Sequence, residues 1–344
     1  MDEATIRLLT HLAPDLMDEV LMRAIVLERI SIMQPVGRRA LAQRLMLTER
    51  EIRALTDGMR KDGLVEVTPV GMELSDKAYQ QIDAVRELVR SRLGFTALET
   101  QLQRLLHVDR VLIAPENVDE NPQAITSVGR LAAGKLRQLM KSGMSLAVSG
   151  GTTLKSVADE LTPGSSLDIE VLPARGGVGT LMETQASTIA EAIAHKLGAR
   201  YRTLHITDTI GQDALRELMK LPEIREPLDA LKHADVLLYG IARIQDMAQY
   251  RNTPRRHIDE LVARDGVAEA LGYCFDREGN MIEAAGGLGL PIDEIANIPT
   301  VIAVAAGSKK AEAILSVTRH HKNNYLILDA SAARALADLM RESK

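Results

Sequence analysis

The sequence predicts an α/β protein in two parts: a winged helix-turn-helix domain, then a doubly wound, mostly parallel Rossmann-like sheet. Three observations support this prediction. A basic stretch with short helical patterns and a hairpin lies near the N-terminus, strand-like and helical runs alternate over the remainder, and glycine-rich turns follow several strands. The 344 residues suffice for both parts, and the core must be mostly aliphatic because only two Phe, six Tyr and no Trp are present.

Residues 1–90 carry the pattern of a winged helix-turn-helix domain. A second short helix fits residues 38–45, and Thr48 with Glu51 forms a capping box that begins a third helix. Residues 64–68 and 72–74 read as the two strands of a hairpin, the wing. A first helix, ending at Pro35, is indicated by a helical stripe of apolar residues: Leu16, Val20, Leu21, Ala24, Ile25, Leu27 and Ile32.

The charge distribution favours DNA as the partner of this domain. The net charge of the whole chain is −5, but residues 29–61 contain eight basic and only three acidic side chains. An arginine on a helix in the major groove can bond two acceptors of a guanine, and flanking arginines can bind phosphates. The predicted contacts to double-stranded operator DNA are Arg38, Arg39, Thr48, Arg50 and Arg53. The alternative for each is a solvated charged face.

Residues 91–106 are expected to form a helical connector, whose surplus apolar positions could serve a dimer seam. Residues 107–344 are expected to form an effector-binding and oligomerisation domain. Its predicted strands are Arg110–Ala114, Ser145–Val148, Ile169–Leu172, Tyr201–His205, Val236–Tyr239, Leu271–Phe275, Val301–Ala305 and Tyr325–Leu328. Because ligands of such sheets bind at the carboxyl ends of the strands, the turns that follow the strands are the candidate site.

Three of these turns carry phosphate-binding chemistry. They are Ser149-Gly150-Gly151-Thr152-Thr153, Pro173-Ala174-Arg175-Gly176-Gly177-Val178-Gly179 and Ala306-Gly307-Ser308-Lys309-Lys310. Glycines let backbone N–H groups approach an anion at a helix N-terminus, while Arg175 and Lys310 supply charge. Gln185 and Arg251 could add donors, and Glu269 could accept sugar hydroxyls. This set suggests a ligand with more than one phosphate. The alternatives are a plain strand-to-helix turn and surface ion pairs.

Several classes of function are disfavoured. The single Cys274 allows neither an intrachain disulfide nor a cysteine-cluster metal site, and the eight histidines show no metal-ligand spacing. No catalytic residues, metal site or cofactor are therefore predicted; a nicotinamide cofactor is disfavoured because no full Gly-x-Gly-x-x-Gly turn has an acidic residue at the expected distance. We see no signal peptide and no membrane-spanning run, and we expect a cytoplasmic protein without a membrane partner.

The sequence resembles the SorC family of bacterial transcription regulators, in its glycolytic branch. The stretches that carry the resemblance cover nearly the whole chain: Gln34-Pro35-Val36-Gly37-Arg38-Arg39, the turns 149–153 and 173–179, Met247-Ala248-Gln249-Tyr250-Arg251-Asn252-Thr253-Pro254 and Val304-Ala305-Ala306-Gly307-Ser308-Lys309-Lys310-Ala311-Glu312-Ala313. The resemblance implies a sensor fold related to ribose-5-phosphate isomerase and glucosamine-6-phosphate deaminase. It also implies fructose 1,6-bisphosphate as effector.

The resemblance assigns roles to the candidate residues. Gly150, Gly151, Thr152 and Thr153 would hold one phosphate with Lys310; Arg175, Gln185 and Arg251 would hold the other; Glu269 would bind sugar hydroxyls. Many relatives have Asp in place of Glu269 and Arg in place of Tyr273. The implied function is a repressor of central glycolytic genes, a homodimer that assembles further on DNA, up to a tetramer. The alternatives are a sugar-phosphate isomerase or deaminase with an added helical domain, and a dimerising scaffold.

Overall fold

The structure is a computed structural model. It describes residues 8–9, 11–45, 47–92, 94–163, 166–177, 181–204, 212–247, 253–284, 289–320 and 323–342. The chain divides into two compact units, Met1–Ala97 and Leu98–Lys344. This division falls inside the predicted connector, within a helix, Phe95–Leu106. No helix of the described residues is both long and apolar enough to cross a lipid bilayer.

The first unit has the predicted order of helices and hairpin. Its elements are α1 (Pro14–Met33), α2 (Arg38–Leu45), α3 (Glu49–Lys61), β1 (Val65–Thr68), β2 (Gly71–Leu74) and α4 (Asp76–Arg92). Strands β1 and β2 pair antiparallel, and Val36 adds a bridge to Met72 of β2. The helix-turn-helix and the wing thus share one core, formed around Ile30, Leu41 and Ile52.

The first helix differs from the predicted stripe at its N-terminal end. Met17, Leu21 and Ala24 are buried, whereas Leu16 is 60% exposed and Val20 is 37% exposed. The reason is that the buried positions recur every three or four residues from Met17, and this places Leu16 and Val20 on the outer side of the helix. The stripe prediction was wrong for these two residues.

The second unit contains a seven-stranded sheet that is parallel throughout. Its strands are β3 (Arg110–Ala114), β4 (Ser145–Val148), β5 (Glu170–Pro173), β6 (Arg200–Tyr201), β7 (Val236–Gly240), β12 (Thr300–Val304) and β13 (Tyr325–Asp329). The order across the sheet is β3-β13-β12-β7-β4-β5-β6. The predicted α/β class is therefore confirmed. Predicted strand Tyr201–His205 corresponds to the two-residue β6; its end, His205, lies outside the described residues.

The strand order changes direction between β4 and β7. From β4 the chain continues outward through β5 to β6, whereas from β7 it continues in the opposite direction through β12 to β13. Ser149 joins the ends of these two central strands, because its N–H donates to the carbonyl of Leu238 and its hydroxyl accepts from the N–H of Gly240. At such a switch point the loops diverge and leave a crevice at the carboxyl edge.

Helices connect the parallel strands and cover the sheet. The helices of this unit are α5 (Phe95–Leu106), α6 (Ile125–Leu139), α7 (Thr152–Glu160), α8 (Ala186–Leu197), α9 (Gln212–Leu218), α10 (Pro222–Lys232), α11 (Arg255–Ala263), α12 (Ala311–His320) and α13 (Ala330–Glu342). Leu136 of α6, Val157 of α7, Ile193 of α8 and Val148 of β4 belong to one aliphatic core.

A second, antiparallel sheet corrects one part of the prediction. It consists of β8 (Ala242–Arg243), β9 (Gly266–Ala270), β10 (Tyr273–Asp276) and β11 (Met281–Ala284). The stretch Leu271–Phe275 was predicted as a strand of the parallel sheet, but Leu271 and Gly272 form the tight turn between β9 and β10. A short turn can join only antiparallel neighbours. Glu269, predicted to precede a strand, lies inside β9.

Candidate functional site

Two adjacent glycines shape the turn between β4 and α7. Gly150 packs so closely on the neighbouring turn that a Cβ there would lie 2.6 Å from the carbonyl oxygen of Thr184. Gly151 has a φ of 121° and precedes the first residue of α7, Thr152. The first N–H groups of a helix have no partners inside it and carry partial positive charge. This turn therefore presents backbone donors of the kind that bind phosphate.

A cavity opens at the carboxyl ends of β4 and β7, at the switch point. Its volume is about 140 Å³, enough for roughly ten water molecules or a small organic ligand. The lining comprises Ser149, Gly150, Gly151, Thr152, Thr153, Leu154, Arg175, Gly176, Thr184, Gln185, Ala186, Gly240, Ile241, Ala242, Asp246, Glu269, Leu271 and Lys310. The antiparallel sheet contributes Glu269 and Leu271, so both sheets of the unit form the walls.

Arg175 and Glu269 form an ion pair in this cavity. Their Nη1 and Oε1 atoms are 3.3 Å apart, and the side chains are only 10% and 13% exposed. Glu269 also accepts a hydrogen bond from the N–H of Gly272 at 2.8 Å. Each partner therefore stabilises the charge of the other. The guanidinium presents its donors in one plane, the geometry that suits an oxyanion.

Lys310 supplies a second positive charge to the cavity. Burial lowers the pKa of its ammonium, and Arg243 lowers it further, while Asp246 and Asp329 raise it. Asp246 also accepts two hydrogen bonds from Arg243, at 3.0 and 2.6 Å. An anionic ligand beside Lys310 would favour its charged form, because opposite charges at short distance stabilise each other.

The structure brings most of the predicted effector residues together. Nine of them line the cavity: Gly150, Gly151, Thr152, Thr153, Arg175, Gly176, Gln185, Glu269 and Lys310. Gly177 is described but does not belong to the lining. Arg251 lies outside the described residues.

Sequence reasoning missed the part of the wall that follows β7. Gly240, Ile241, Ala242 and Asp246 line the cavity, but the segment after β7 has no pair of adjacent glycines that would mark it as a phosphate-binding turn. The available signal was positional, since these residues directly follow the predicted strand Val236–Tyr239. Among the described residues no cluster of His, Cys, Asp and Glu could hold a metal ion.

The predicted DNA contacts lie on α2, α3 and the turn between them. Arg39, Arg50 and Arg53 are exposed. Arg38 is paired with Asp57 of α3 at 3.3 Å. The hydroxyl of Thr48 accepts from the N–H of Glu51 at 3.2 Å and donates to its carboxylate at 2.7 Å. The predicted capping box is therefore present, and the Thr48 hydroxyl serves the start of α3.

Two sequence families match this chain. The family described as "Putative sugar-binding domain" matches residues 92–338, and the family described as "CggR N-terminal DNA binding domain" matches residues 20–89. The central glycolytic genes regulator of Bacillus subtilis (strain 168) is 33% identical over 326 residues, which cover 94% of this chain and 96% of that protein. The protein is thus a transcriptional regulator with an N-terminal DNA-binding domain and a C-terminal sugar-binding domain, and the enzyme alternative is not supported.

Solved structures agree with this result. A SorC family transcriptional regulator from Enterococcus faecalis has a TM-score of 0.65 at 28% identity, covering 70% of this chain and 99% of that one. The full-length sorbitol operon regulator SorC from Klebsiella pneumoniae has a TM-score of 0.66 at 17% identity, covering 88% of this chain and 94% of that one. The second likeness concerns the fold alone.

Proposed function

The chain belongs to the SorC family, in its branch of central glycolytic genes regulators, and we propose that fructose 1,6-bisphosphate controls its binding to DNA. In this proposal the protein represses glycolytic genes as a homodimer that assembles further, up to a tetramer, on operator DNA. The effector binds in the cavity at the switch point. The observation that carries the proposal is that phosphate-type donors reach this one cavity from three different strands.

The arrangement of the strands supports a ligand with two phosphates. Lys310 follows β12 and Arg175 follows β5, and β7 and β4 lie between them. Neighbouring strands are about 5 Å apart, so the two loops start roughly 14 Å from each other. Two cations that enter from opposite sides suit a ligand with an anionic group at each end. We assign the Gly150–Thr153 turn and Lys310 to one phosphate, and Arg175, Gln185 and Arg251 to the other.

The middle of the cavity supports recognition of a sugar. Glu269 lines the cavity beside Arg175, and its carboxylate can accept hydrogen bonds from hydroxyl groups. Asp246 is already bonded to Arg243, so its charge is balanced and repels a phosphate less. The lining thus offers donors for anions and carboxylate acceptors for hydroxyl groups in the same cavity.

Ligand binding must distinguish two states of the protein to control DNA binding. A ligand shifts an equilibrium only by the difference in its affinity for the two states, and a coupling of about 1–3 kcal/mol is typical. We expect the effector to change the affinity for operator DNA by roughly five- to 150-fold. The same factor must appear in the effector affinity when DNA is present, because the coupling is reciprocal.

The test is a calorimetric titration of the full-length protein with fructose 1,6-bisphosphate. The variants Thr152→Val and Arg175→Ala are titrated in the same way. Saturable binding that both variants weaken, with no turnover of the ligand, is the expected result. Fluorescence anisotropy with the DNA upstream of the glycolytic genes of the same genome then measures the coupling. Absence of binding at millimolar ligand would refute the effector assignment, and unchanged DNA affinity with bound ligand would refute the control mechanism.

A further inference from the structure

Two carboxylates hold the turn that carries Lys310. Asp329, the last residue of β13, is fully buried. Its Oδ1 atom accepts a hydrogen bond from the N–H of Gly307 at 2.9 Å. Asp119, an exposed residue of the loop after β3, accepts from the N–H of Ser308 at 3.1 Å. The two N–H groups that open the turn Gly307–Lys310 are therefore both bound to charged acceptors.

The same two residues join this turn to the loop between β3 and α6. The Oδ2 atom of Asp329 accepts from the N–H of Val118 at 2.9 Å, and the N–H of Ala330 donates to the carbonyl of Glu116 at 3.1 Å. Asp119 is itself part of that loop. Three segments that are distant in the sequence thus meet at Asp329: the end of β13, the turn after β12 and the loop after β3.

Helix capping explains only part of this arrangement. Asp329 also accepts from the N–H of Ala332 at 3.0 Å and from the hydroxyl of Ser331, as a residue at the start of α13 would. A cap needs no contact to Gly307 or Val118, and it gives Asp119 no role. The remaining contacts act on the backbone before Lys310. Hydrogen bonds to an ionised carboxylate are about twice as strong as neutral ones, so they fix that backbone firmly.

The position of Lys310 depends on this backbone. Its N–H donates to the carbonyl of Gly307 at 3.1 Å, so the tight turn transmits any movement of Gly307 and Ser308 to the lysine. A lysine side chain is a flexible stem with a point charge. The charge can be placed at low entropic cost only when the start of the stem is held. We propose that Asp119 and Asp329 are positioning residues for the effector site, which act through Lys310 by tying its turn to the β3–α6 loop.

This inference rests on the proposed function and deepens it. The first experiment measures the Kd of the full-length protein for fructose 1,6-bisphosphate. Asp119→Ala removes one tie at an exposed position where folding is not at risk. Its matched control is Asp109→Ala. Asp109 accepts a hydrogen bond from the side chain of Asn324 at 2.8 Å and so also joins the β3 segment to the loop before β13, but at the opposite end of the strands. We expect Asp119→Ala to raise the Kd about five- to tenfold, as the loss of one hydrogen bond would, and Asp109→Ala to leave it unchanged.

The second experiment distinguishes an action through Lys310 from a general loosening. Fructose 1-phosphate and fructose 6-phosphate are titrated into the wild type, Lys310→Met, Asp119→Ala and Asp329→Asn, with the melting temperature of each variant measured alongside. The loss of affinity must fall on one monophosphate, and on the same one for all three variants. Two results would overturn the inference: equal losses of affinity for both monophosphates, or an Asp119→Ala protein whose Kd values equal those of Asp109→Ala. A wild type that binds none of these sugars would instead reject the proposed function.

Discussion

Arg175 and Glu269 are 94 positions apart in the sequence, and their side chains meet at 3.3 Å in the cavity. The first follows β5 of the parallel sheet and the second lies on β9 of the antiparallel sheet. The pair therefore joins the two sheets at the candidate site. The cost of burying each charge is offset by the partner, and removal of one partner leaves the other charge uncompensated.

This relationship predicts different effects for the two partners. Glu269→Gln keeps the size of the side chain and leaves Arg175 without its counter-charge, so the phosphate of the ligand becomes its main anionic partner. We expect phosphate binding to remain and discrimination among sugars to weaken, because the acceptor for hydroxyls is changed. The measurement is the ratio of the Kd values for fructose 1,6-bisphosphate and an acyclic bisphosphate of similar length. A ratio equal to that of the wild type would contradict this role.

Arg175→Ala is expected to weaken fructose 1,6-bisphosphate binding by roughly ten- to 100-fold, the range of a charge-assisted hydrogen bond worth about 1.5–3 kcal/mol. Arg175→Lys should recover only part of this, since an ammonium cannot form the two parallel bonds of a guanidinium. Arg256→Ala serves as control, because Arg256 is exposed on α11 and pairs with Glu260 of the same helix. Calorimetry on the full-length variants measures all three, and a lysine variant equal to the wild type would argue against a two-bond contact.

The sequence allowed much of the fold to be predicted because local signals agreed with it. Thr48 and Glu51 form the predicted capping box, and the alternation of strands and helices gave the parallel sheet. The antiparallel sheet could not be predicted in the same way. Leu271–Phe275 is as apolar as a parallel strand, and its pairing depends on the turn at Leu271 and Gly272, whose positive φ angles become apparent only in three dimensions.

The candidate site was predictable wherever the residues themselves carry the chemistry. Gly150, Gly151 and Lys310 follow strands and have features that bind phosphate, so a rule about strand ends brought them together. Asp246 has no such signal, and neither has Asp329, which reads as the end of an apolar strand. Their places depend on the order of the strands across the sheet, which the sequence of alternating elements does not specify.

Gly150→Ala is predicted to disrupt the phosphate turn. The new Cβ would lie 2.6 Å from the carbonyl oxygen of Thr184 and 3.1 Å from the nitrogen of Ala186, both of which are backbone atoms that cannot rotate away. The start of α7 must therefore shift, and we expect both lower stability and loss of effector binding. Gly134→Ala is the matched control.

Gly134 lies in α6, and a Cβ there would have no neighbour within 4 Å. Alanine is favoured over glycine inside a helix by about 1 kcal/mol, so this variant should be slightly more stable than the wild type and bind the effector normally. Thermal unfolding and calorimetry compare the two variants. A Gly150→Ala protein that binds with unchanged Kd would show that the turn does not contact the ligand.

The pKa of Lys310 predicts how effector affinity depends on pH. Burial lowers this pKa, so the ammonium loses its proton at a lower pH than an exposed lysine. Phosphate groups on the ligand carry their full charge above about pH 7.5, because their second pKa is near 6. The affinity should therefore be constant between about pH 7.5 and the pKa of Lys310, and fall above that pKa by up to about tenfold per pH unit.

Lys310→Arg provides the control for this pH dependence. Arginine stays charged across the range, so the affinity of Lys310→Arg for fructose 1,6-bisphosphate should not fall between pH 8 and about pH 10. Tyr273 does not interfere, since burial raises the pKa of its hydroxyl above the ordinary value. Calorimetric titrations with fructose 1,6-bisphosphate at several pH values measure the Kd of both proteins. Equal slopes of log Kd against pH for the wild type and Lys310→Arg would show that Lys310 does not contact the ligand.

Two arginines of α3 are predicted to contact DNA. Arg50 and Arg53 are exposed on α3, and each arginine that neutralises a phosphate contributes a slope of about 0.9 to the dependence of log K on log salt. If both contact phosphates, the double alanine variant should lower the slope by roughly two per subunit. If one of them reads a guanine, its variant should instead relax the preference for the operator over random DNA.

Thr48 should affect DNA binding indirectly. Its hydroxyl is used in the capping box with Glu51, and loss of such a cap costs about 1 kcal/mol of helix stability. Thr48→Ala should therefore lower the melting temperature and weaken DNA binding at all sequences alike. Thr48→Ser, which keeps the cap, should restore both. Anisotropy titrations at several salt concentrations measure these variants. A Thr48→Ser protein that melts normally and yet binds the operator poorly would indicate that the methyl group of Thr48 contacts the DNA, because the cap would then be intact.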